Sequence, residues 1–337
     1  MTVFGRVKDL QAIVAALLAE GATSSVLATL VSVSGSSYRR PGARLLIGAD
    51  KARTGSISGG CLEEDVMARA ARVHATGQPD AVVYDTTSEN DLVWGVGLGC
   101  HGVVRVLLEK LPVRPPWAAV LAENFARRRA TAVTVVHGGS STEFWGTRLA
   151  APGDCADPEA VFLETIAPPT ALTIYGAGDD AQPLARLAKE LGWHVTIADP
   201  RGAFATAARF PMADAIVTGP ADQLVARVAP GPDTLAVVMT HHYVHDLPLL
   251  RGLLERPLAY LGLLGPRKRA EKLCADLRAA GITLSAEQRA RLHAPVGLDL
   301  GADGPEQVAL AIVAEMQAVL TGRNARPLRE RDLPIHD

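Results

Sequence analysis

The β-type run Leu172–Tyr175 enters Gly176-Ala177-Gly178-Asp179-Asp180-Ala181. A short run bounded by glycine predicts a buried strand. After it, Leu184, Leu187, Ala188 and Leu191 recur at helical spacing, and Gly192 stops that helix. Val195–Ala198 predicts a second strand ending at Asp199. Strand, glycine turn, helix, strand and acid make the order of a Rossmann βαβ unit. Gly176 permits the tight turn, Gly178 allows close approach of a backbone, and Ala181 is small enough for the helix to pack on the strand. Amides at the helix start then face an anion. Asp199 lies 23 residues after Gly176, where a ribose-binding acid belongs. Against that stand Asp179 and Asp180, two negative charges where a pyrophosphate would sit.

The alternation continues. Ala215–Val217, Leu235–Met239 and Leu258–Leu263 predict strands, and Pro220–Val228, Val244–Glu255, Pro266–Ala280 and Glu306–Leu320 predict helices. The first half reads differently. Helical spacing over Val7–Glu20 is followed by β-type runs at Ser25–Val33, Ala43–Ile47 and Ala52–Ile57, and a helix opens at Cys61 and runs to about Thr76. Ala81–Tyr84, Val103–Leu108, Thr131–His137 and Glu143–Trp145 predict further strands, and Pro115–Arg129 a helix. Leu149–Pro158, rich in Pro, Gly and Asp, reads as a domain boundary. The expected fold class is α/β: an N-terminal mixed α/β domain, 1–150, followed by a Rossmann-like parallel-sheet domain, 168–337.

Composition narrows the function classes. With 337 residues and 48% hydrophobic residues, the chain has material for two packed cores. A net charge of −2 implies no nucleic-acid partner. No uncharged run reaches the ~18 residues of a membrane span, and the start of the chain lacks the order of a secretion signal. Four cysteines in a chain this long make no disulfide framework. The cytoplasm is therefore the expected location.

Candidate chemistry lies in loops. Gly55-Ser56-Ile57-Ser58-Gly59-Gly60-Cys61-Leu62-Glu63 puts small residues around a thiol at a helix start, where the dipole favours a thiolate. A buried structural cysteine is the competing reading. Gly95–Gly102 is a second glycine-rich loop and carries Cys100. Thr240-His241-His242 and the basic run Arg267-Lys268-Arg269 follow predicted strands, so both belong at the carboxyl edge of the second sheet. Basic side chains beside first-turn amides suit a phosphate. His241 and His245, four apart, have metal-pair spacing but no third ligand in sight.

The whole pattern resembles the XdhC/CoxI family of accessory proteins for xanthine dehydrogenase and related molybdenum hydroxylases. In the first half the resemblance rests on Gly35-Ser36, Arg39-Arg40-Pro41-Gly42-Ala43, Gly55–Glu63 and Gly99-Cys100. In the second it rests on Gly176-Ala177-Gly178, Asp199, Thr240-His241 with Asp246, Gly262–Gly265 and Pro295-Val296-Gly297-Leu298-Asp299-Leu300-Gly301. Three departures stand out: His101 where a second glycine is usual, Gly265-Pro266 in place of Gly-Ser, and the additional His242 and His245. The resemblance implies a chaperone rather than a turnover enzyme. Such a protein binds the molybdenum cofactor (a molybdopterin, with mononucleotide and dinucleotide forms both open), accepts its sulfurated form and delivers it to a molybdenum hydroxylase apo-enzyme. A cysteine desulfurase and a second copy of the chain are further partners left open. The cofactor-binding residues it suggests are Arg40, Gly59, Gly60, Cys61, Glu63, Cys100, Gly176, Gly178, Asp199, His241, Arg267 and Lys268. Cys61 and Cys100 are the expected molybdenum ligands, with Cys61 facing a cleft between the domains. An NAD(P)-dependent oxidoreductase using the Rossmann unit is the alternative.

Overall fold

The computed structural model describes residues 7–87, 102–139, 141–154, 157 and 159–332. Contacts divide the chain into two units, Met1–Pro169 and Thr170–Asp337.

The first unit is built in the order α1 (Val7–Leu18), β1 (Ser25–Gly35), β2 (Arg44–Ile47), β3 (Arg53–Gly55), α2 (Glu63–Thr76), β4 (Asp80–Asp85), β5 (Gly102–Leu111), α3 (Pro116–Ala126), β6 (Thr131–Val136), β7 (Gly146–Leu149) and β8 (Val161–Ile166). Strands β3-β2-β1-β5-β4 form an antiparallel sheet, and β7-β6-β8 a second one. β1 is buried from Ser25 through Val31 because both its faces are covered. On one face Val66, Ala70 and Val73 of α2 pack against Val26, Ala28 and Val106. On the other, Leu27 meets Ile13 and Leu17 of α1, Leu121 of α3 and Val133 of β6.

Three local expectations are corrected. Residues Glu143–Trp145 are not a strand. Ser141 accepts a hydrogen bond from the Glu143 amide and starts a 3₁₀ turn over Thr142–Phe144, and the strand begins only at Gly146. α2 starts at Glu63, so Cys61 precedes the helix by two residues. α3 ends at Ala126, three residues short of Arg129; Arg127–Arg129 lie beyond it, exposed, and Arg128 donates to the Pro169 carbonyl at 3.0 Å. The stretch 151–154 is a turn in which Asp154 accepts from the Ala151 amide, Thr134 and Arg148, and the chain then returns as β8 beside β6.

Between the two sheets lies a buried charged group. Glu109 accepts from the Thr147 amide at 2.9 Å and from its hydroxyl at 2.5 Å, while Arg44 pairs with Glu164 at 2.8 Å. Burial pushes the Glu109 carboxyl above the usual range, opposed by Thr147 and by the charge of Arg44. A carboxyl raised on folding binds its proton more tightly in the folded state. Its contribution is therefore fully present below the unfolded value and lost as pH rises through the folded one. Glu109→Gln should accordingly gain stability relative to the parent as pH rises from about 4 to 7. Urea unfolding at both ends of that range checks this, and a constant or falling difference would contradict it.

The second unit runs β9 (Ala171–Tyr175), α4 (Ala181–Glu190), β10 (His194–Asp199), β11 (Ala215–Thr218), α5 (Ala221–Val228), β12 (Thr234–Val238), α6 (Tyr243–Leu254), β13 (Tyr260–Leu263), α7 (Arg267–Ala279), α8 (Ala286–Arg291), β14 (Leu292–His293) and α9 (Pro305–Thr321). The sheet order is β11-β10-β9-β12-β13-β14 and every pairing is parallel. α4 and α9 cover one face, with Leu184, Ala188, Ile312 and Met316 in the core. α5, α6 and α7 cover the other. The chain reverses its direction of travel across the sheet between β9 and β12, and a ligand crevice forms at the carboxyl ends of such a pair. The β9–α4 glycine turn and the β12–α6 loop meet there. No described helix is long and apolar enough to cross a membrane.

Candidate functional site

The glycine turn is held from below. Gly176 has φ +131°, and a Cβ on it would lie 2.4 Å from the Met239 carbonyl oxygen and 2.9 Å from the Thr240 amide. Only glycine lets β9 turn this close to the end of β12. Asp199 is fully buried and accepts from the Ala177 amide at 2.6 Å, from the Arg201 amide at 2.7 Å and from two nitrogens of the Arg201 guanidinium at 2.9 and 2.8 Å. Burial pushes its carboxyl up, but these bonds outweigh burial and hold it below the usual carboxylate range. Both oxygens of Asp199 are thus engaged by the chain, and they tie the turn to the end of β10.

The two aspartates of the turn have their own partners within the chain. Arg209 donates to Asp179 at 2.6 Å and to the Ala177 carbonyl at 2.7 Å. His241 Nε2 lies 2.7 Å from Asp180 Oδ2, bridging the β9 turn to the β12 loop. Gly178 leaves the space that the Asp180 carboxylate fills, 2.7 Å from where a Cβ would stand. His241 itself has φ +61°, a left-handed backbone in a residue with a side chain. It is more than half exposed. Phe204, exposed, lies under the Arg201 guanidinium at 4.4 Å.

The β12 loop is anchored by a buried network. Thr240 is fully buried, and its hydroxyl donates to Asp246 at 2.5 Å. The other Asp246 oxygen receives Arg269 at 2.5 Å. Of the three bases at the start of α7, Arg269 is therefore drawn inward, and only Arg267 and Lys268 remain exposed at the helix N-terminus. The ring partner of His245 is His242, at 5.7 Å, not His241. Among the described residues no group of three His, Cys, Asp or Glu side chains is placed to hold a metal.

In the first unit the loop after β3 alternates inward and outward. Ile57, Ser58, Leu62 and Glu63 are buried; Gly59, Gly60 and Cys61 are exposed. The Glu63 carboxylate organises it, accepting from the Ser58 hydroxyl, from the Ser58 amide at 3.1 Å and from the Leu62 amide at 3.2 Å. The Ser58 oxygen accepts in turn from the Gly60 amide at 3.1 Å. Glu63 thus holds the loop from inside, and the thiol of Cys61 stands at the exposed tip. The first turn of α2 also carries Glu64 and Asp65, so the helix start expected to favour an anion is itself acidic. Tyr38, exposed, flanks Gly59. Arg40 is half-buried in the neighbouring turn, whose residue Arg39 pairs with Asp9 at 2.5 Å. Cys100 lies outside the described residues.

The structure thus brings Gly176, Gly178, Asp199 and His241 together, sets Arg267 and Lys268 at the same sheet edge, and places Gly59, Gly60, Cys61 and Glu63 on one loop of the other unit. The roles of Arg201, Arg209, Asp180 and Ser58 escape sequence reading, because nothing in their spacing shows which partner each would meet. Asp180 and Ser58 stand out by position alone, each inside a glycine-rich stretch.

Two family models match this chain: the XdhC Rossmann domain over residues 172–316 and the XdhC and CoxI family over residues 18–85. The chain is 32% identical over 319 residues to a probable xanthine dehydrogenase component of Bacillus subtilis (strain 168), covering 89% of this chain and 94% of that one. It is 27% identical over 295 residues to the molybdenum cofactor insertion chaperone PaoD of Escherichia coli (strain K12), covering 88% and 83%. Among solved structures, a xanthine dehydrogenase from Bacillus halodurans superimposes with a TM-score of 0.80 at 29% identity, over 96% of this chain and 99% of that one.

Proposed function

The chain belongs to the XdhC and CoxI family, and from that premise we propose that it binds the molybdenum cofactor and delivers it, in sulfurated form, to a xanthine dehydrogenase-type apo-enzyme. A relative named as a cofactor insertion chaperone, similar over most of both chains, supports the accessory role. The observation that carries the reading to particular residues is the loop of Cys61. Its buried Ser58–Glu63 framework holds an exposed thiol on a glycine tip. Thiolate is a soft ligand suited to such a metal centre, and a thiol is also the group that would pass sulfur received from a cysteine desulfurase. The cofactor, when bound, supplies the molybdenum–sulfur centre that the hydroxylase needs. This chain holds and orients it without turning over a substrate.

The phosphate end needs cations and amides. Arg267 and Lys268 at the start of α7 offer both, free of the Asp246 network that takes Arg269. The glycine turn is less inviting, since Asp179 and Asp180 already hold Arg209 and His241 there. That pairing, and the engagement of both Asp199 oxygens, also weigh against an ordinary NAD(P) site.

Co-purified material tests the reading. The parent chain isolated from cells that make the cofactor should release a fluorescent oxidised pterin. Nicotinamide absorbance in its place would support the oxidoreductase, and neither would leave an adaptor with an empty site. Replacing Arg267 and Lys268 by Ala should weaken cofactor retention at low salt, roughly fivefold for each charge, and flatten its salt dependence. Unchanged retention would remove them from the site.

A further inference from the structure

We propose that the loop Pro295–Ala302 builds the pocket for the flat heterocycle of the cofactor, with Asp299 accepting hydrogen bonds from its amino–amide edge; this rests on the cofactor-binding reading above. A cavity of about 300 Å³ lies where β13 ends, walled by Leu264, Gly265, Pro295, Val296, Leu298 and Val308, and Asp299 is the ionisable side chain of its lining. That size is at the small end of ligand sites, about 300–1,000 Å³, and suits a ring system rather than a whole nucleotide.

The loop is preorganised. The Val296 amide donates to Leu263 at 3.2 Å, the Leu298 amide to Ala311 at 3.2 Å, and the Gly297 amide to the Glu315 carboxylate at 2.9 Å. Glu315 is fixed in turn by the Tyr260 hydroxyl and by His293, at 3.2 Å, whose ring stacks on Tyr260 at 4.4 Å. Gly297 has φ +101°, and a Cβ there would press to 3.3 Å of the Ala311 side chain, so the loop lies flat on α9. On the far side the Asp303 amide is held by Gln307 at 2.8 Å. Between these anchors Asp299, Leu300 and Gly301 form a rim open to solvent.

Apolar walls flank a planar ring, and a carboxylate is an acceptor only. Two oxygens side by side match a ring N–H next to an exocyclic NH₂, in the manner of a bidentate fork. A phosphate would meet repulsion from Asp299. The 2-amino-4-oxopyrimidine edge is shared by a pterin and by the guanine of a dinucleotide form, so both sources satisfy the chemistry.

Fluorescence quenching of free oxidised pterin by the parent chain measures the pocket without molybdenum. Lumazine, which has an oxo group where pterin has the amine, should bind at least about tenfold more weakly. Asp299→Asn should lose a similar factor for pterin, and Ala302→Trp, a change on the exposed rim, should block binding with no change in melting temperature. Competition by guanosine tighter than pterin assigns the pocket to the nucleobase, and weaker competition assigns it to the pterin; both keep the donor-edge recognition. No quenching by the parent, equal affinity for lumazine, or unchanged binding by Asp299→Asn overturns the proposal. If the parent co-purifies with cofactor while Asp299→Asn retains as much, this inference fails and the cofactor-binding reading stands. If the parent retains none, the reading itself fails.

Discussion

Gly176→Ala is expected to be the most destabilising single substitution at the crevice. A methyl on Gly176 would collide with the Met239 carbonyl and the Thr240 amide, both backbone atoms at the end of a fully buried strand. The residue also sits at φ +131°, where a side chain is strained whatever space it has. Neither β9 nor β12 can retreat without opening the parallel pairing Val238–Tyr175 and the core beneath it. The expected cost is about 3 kcal/mol or more, a fall of roughly 10 °C in melting temperature. Gly178→Ala is the control. Its Cβ would press on the Asp180 carboxylate, the end of a side chain that can swing, with His241 at an ordinary 3.8 Å, and its φ is ordinary. It should cost far less stability. Equal melting losses for the two variants would show that contact with β12 does not govern the turn.

Cys61→Ser is expected to act on cofactor and not on fold. The thiol is exposed, and the loop is held by Ser58, Glu63 and their amide donors, none of which the substitution touches. Stability should stay within about 0.5 kcal/mol. Loss of a metal ligand should lower molybdenum per chain at least on the order of tenfold, since even an outer-shell partner costs that much. Metal analysis of parent and variant, purified in parallel, reads the ratio. A ratio near one would reduce Cys61 to a surface residue.

Much of the second unit is legible because its elements are strongly periodic and its central strands β9, β12 and β13 are buried on both faces. The run Leu172–Tyr175, the glycine turn and Asp199 specify β9, α4 and β10 with almost no tertiary information. The two-residue strand β14 and the helix α8 are not legible: Leu292-His293 has no strand pattern, and β14 is created by its pairing with β13. In the first unit, Glu143–Trp145 misleads because two adjacent aromatic residues, Phe144 and Trp145, are strand formers, while the serine cap at Ser141 decides for a tight turn. The chemistry is legible by residue type and much less by role. Asp199 and Glu63 stand out as acids beside glycine loops, which reads as ligand binding; in the fold both carboxylates serve the loops themselves. Asp246 claims one of three adjacent bases, and the spacing of Arg267-Lys268-Arg269 carries no hint of which.

The central claim is that this chain carries the sulfurated molybdenum cofactor to an apo-hydroxylase. Its most direct test is reactivation of a purified apo-hydroxylase of the xanthine dehydrogenase type. The apo-enzyme is mixed with the cofactor-loaded chain or with the same amount of free cofactor, and hydroxylase activity is followed over time. The account predicts that activity rises with the amount of loaded chain, well beyond that given by free cofactor, and that the Cys61→Ser chain fails to match the parent. Equal activation with and without the chain would contradict it.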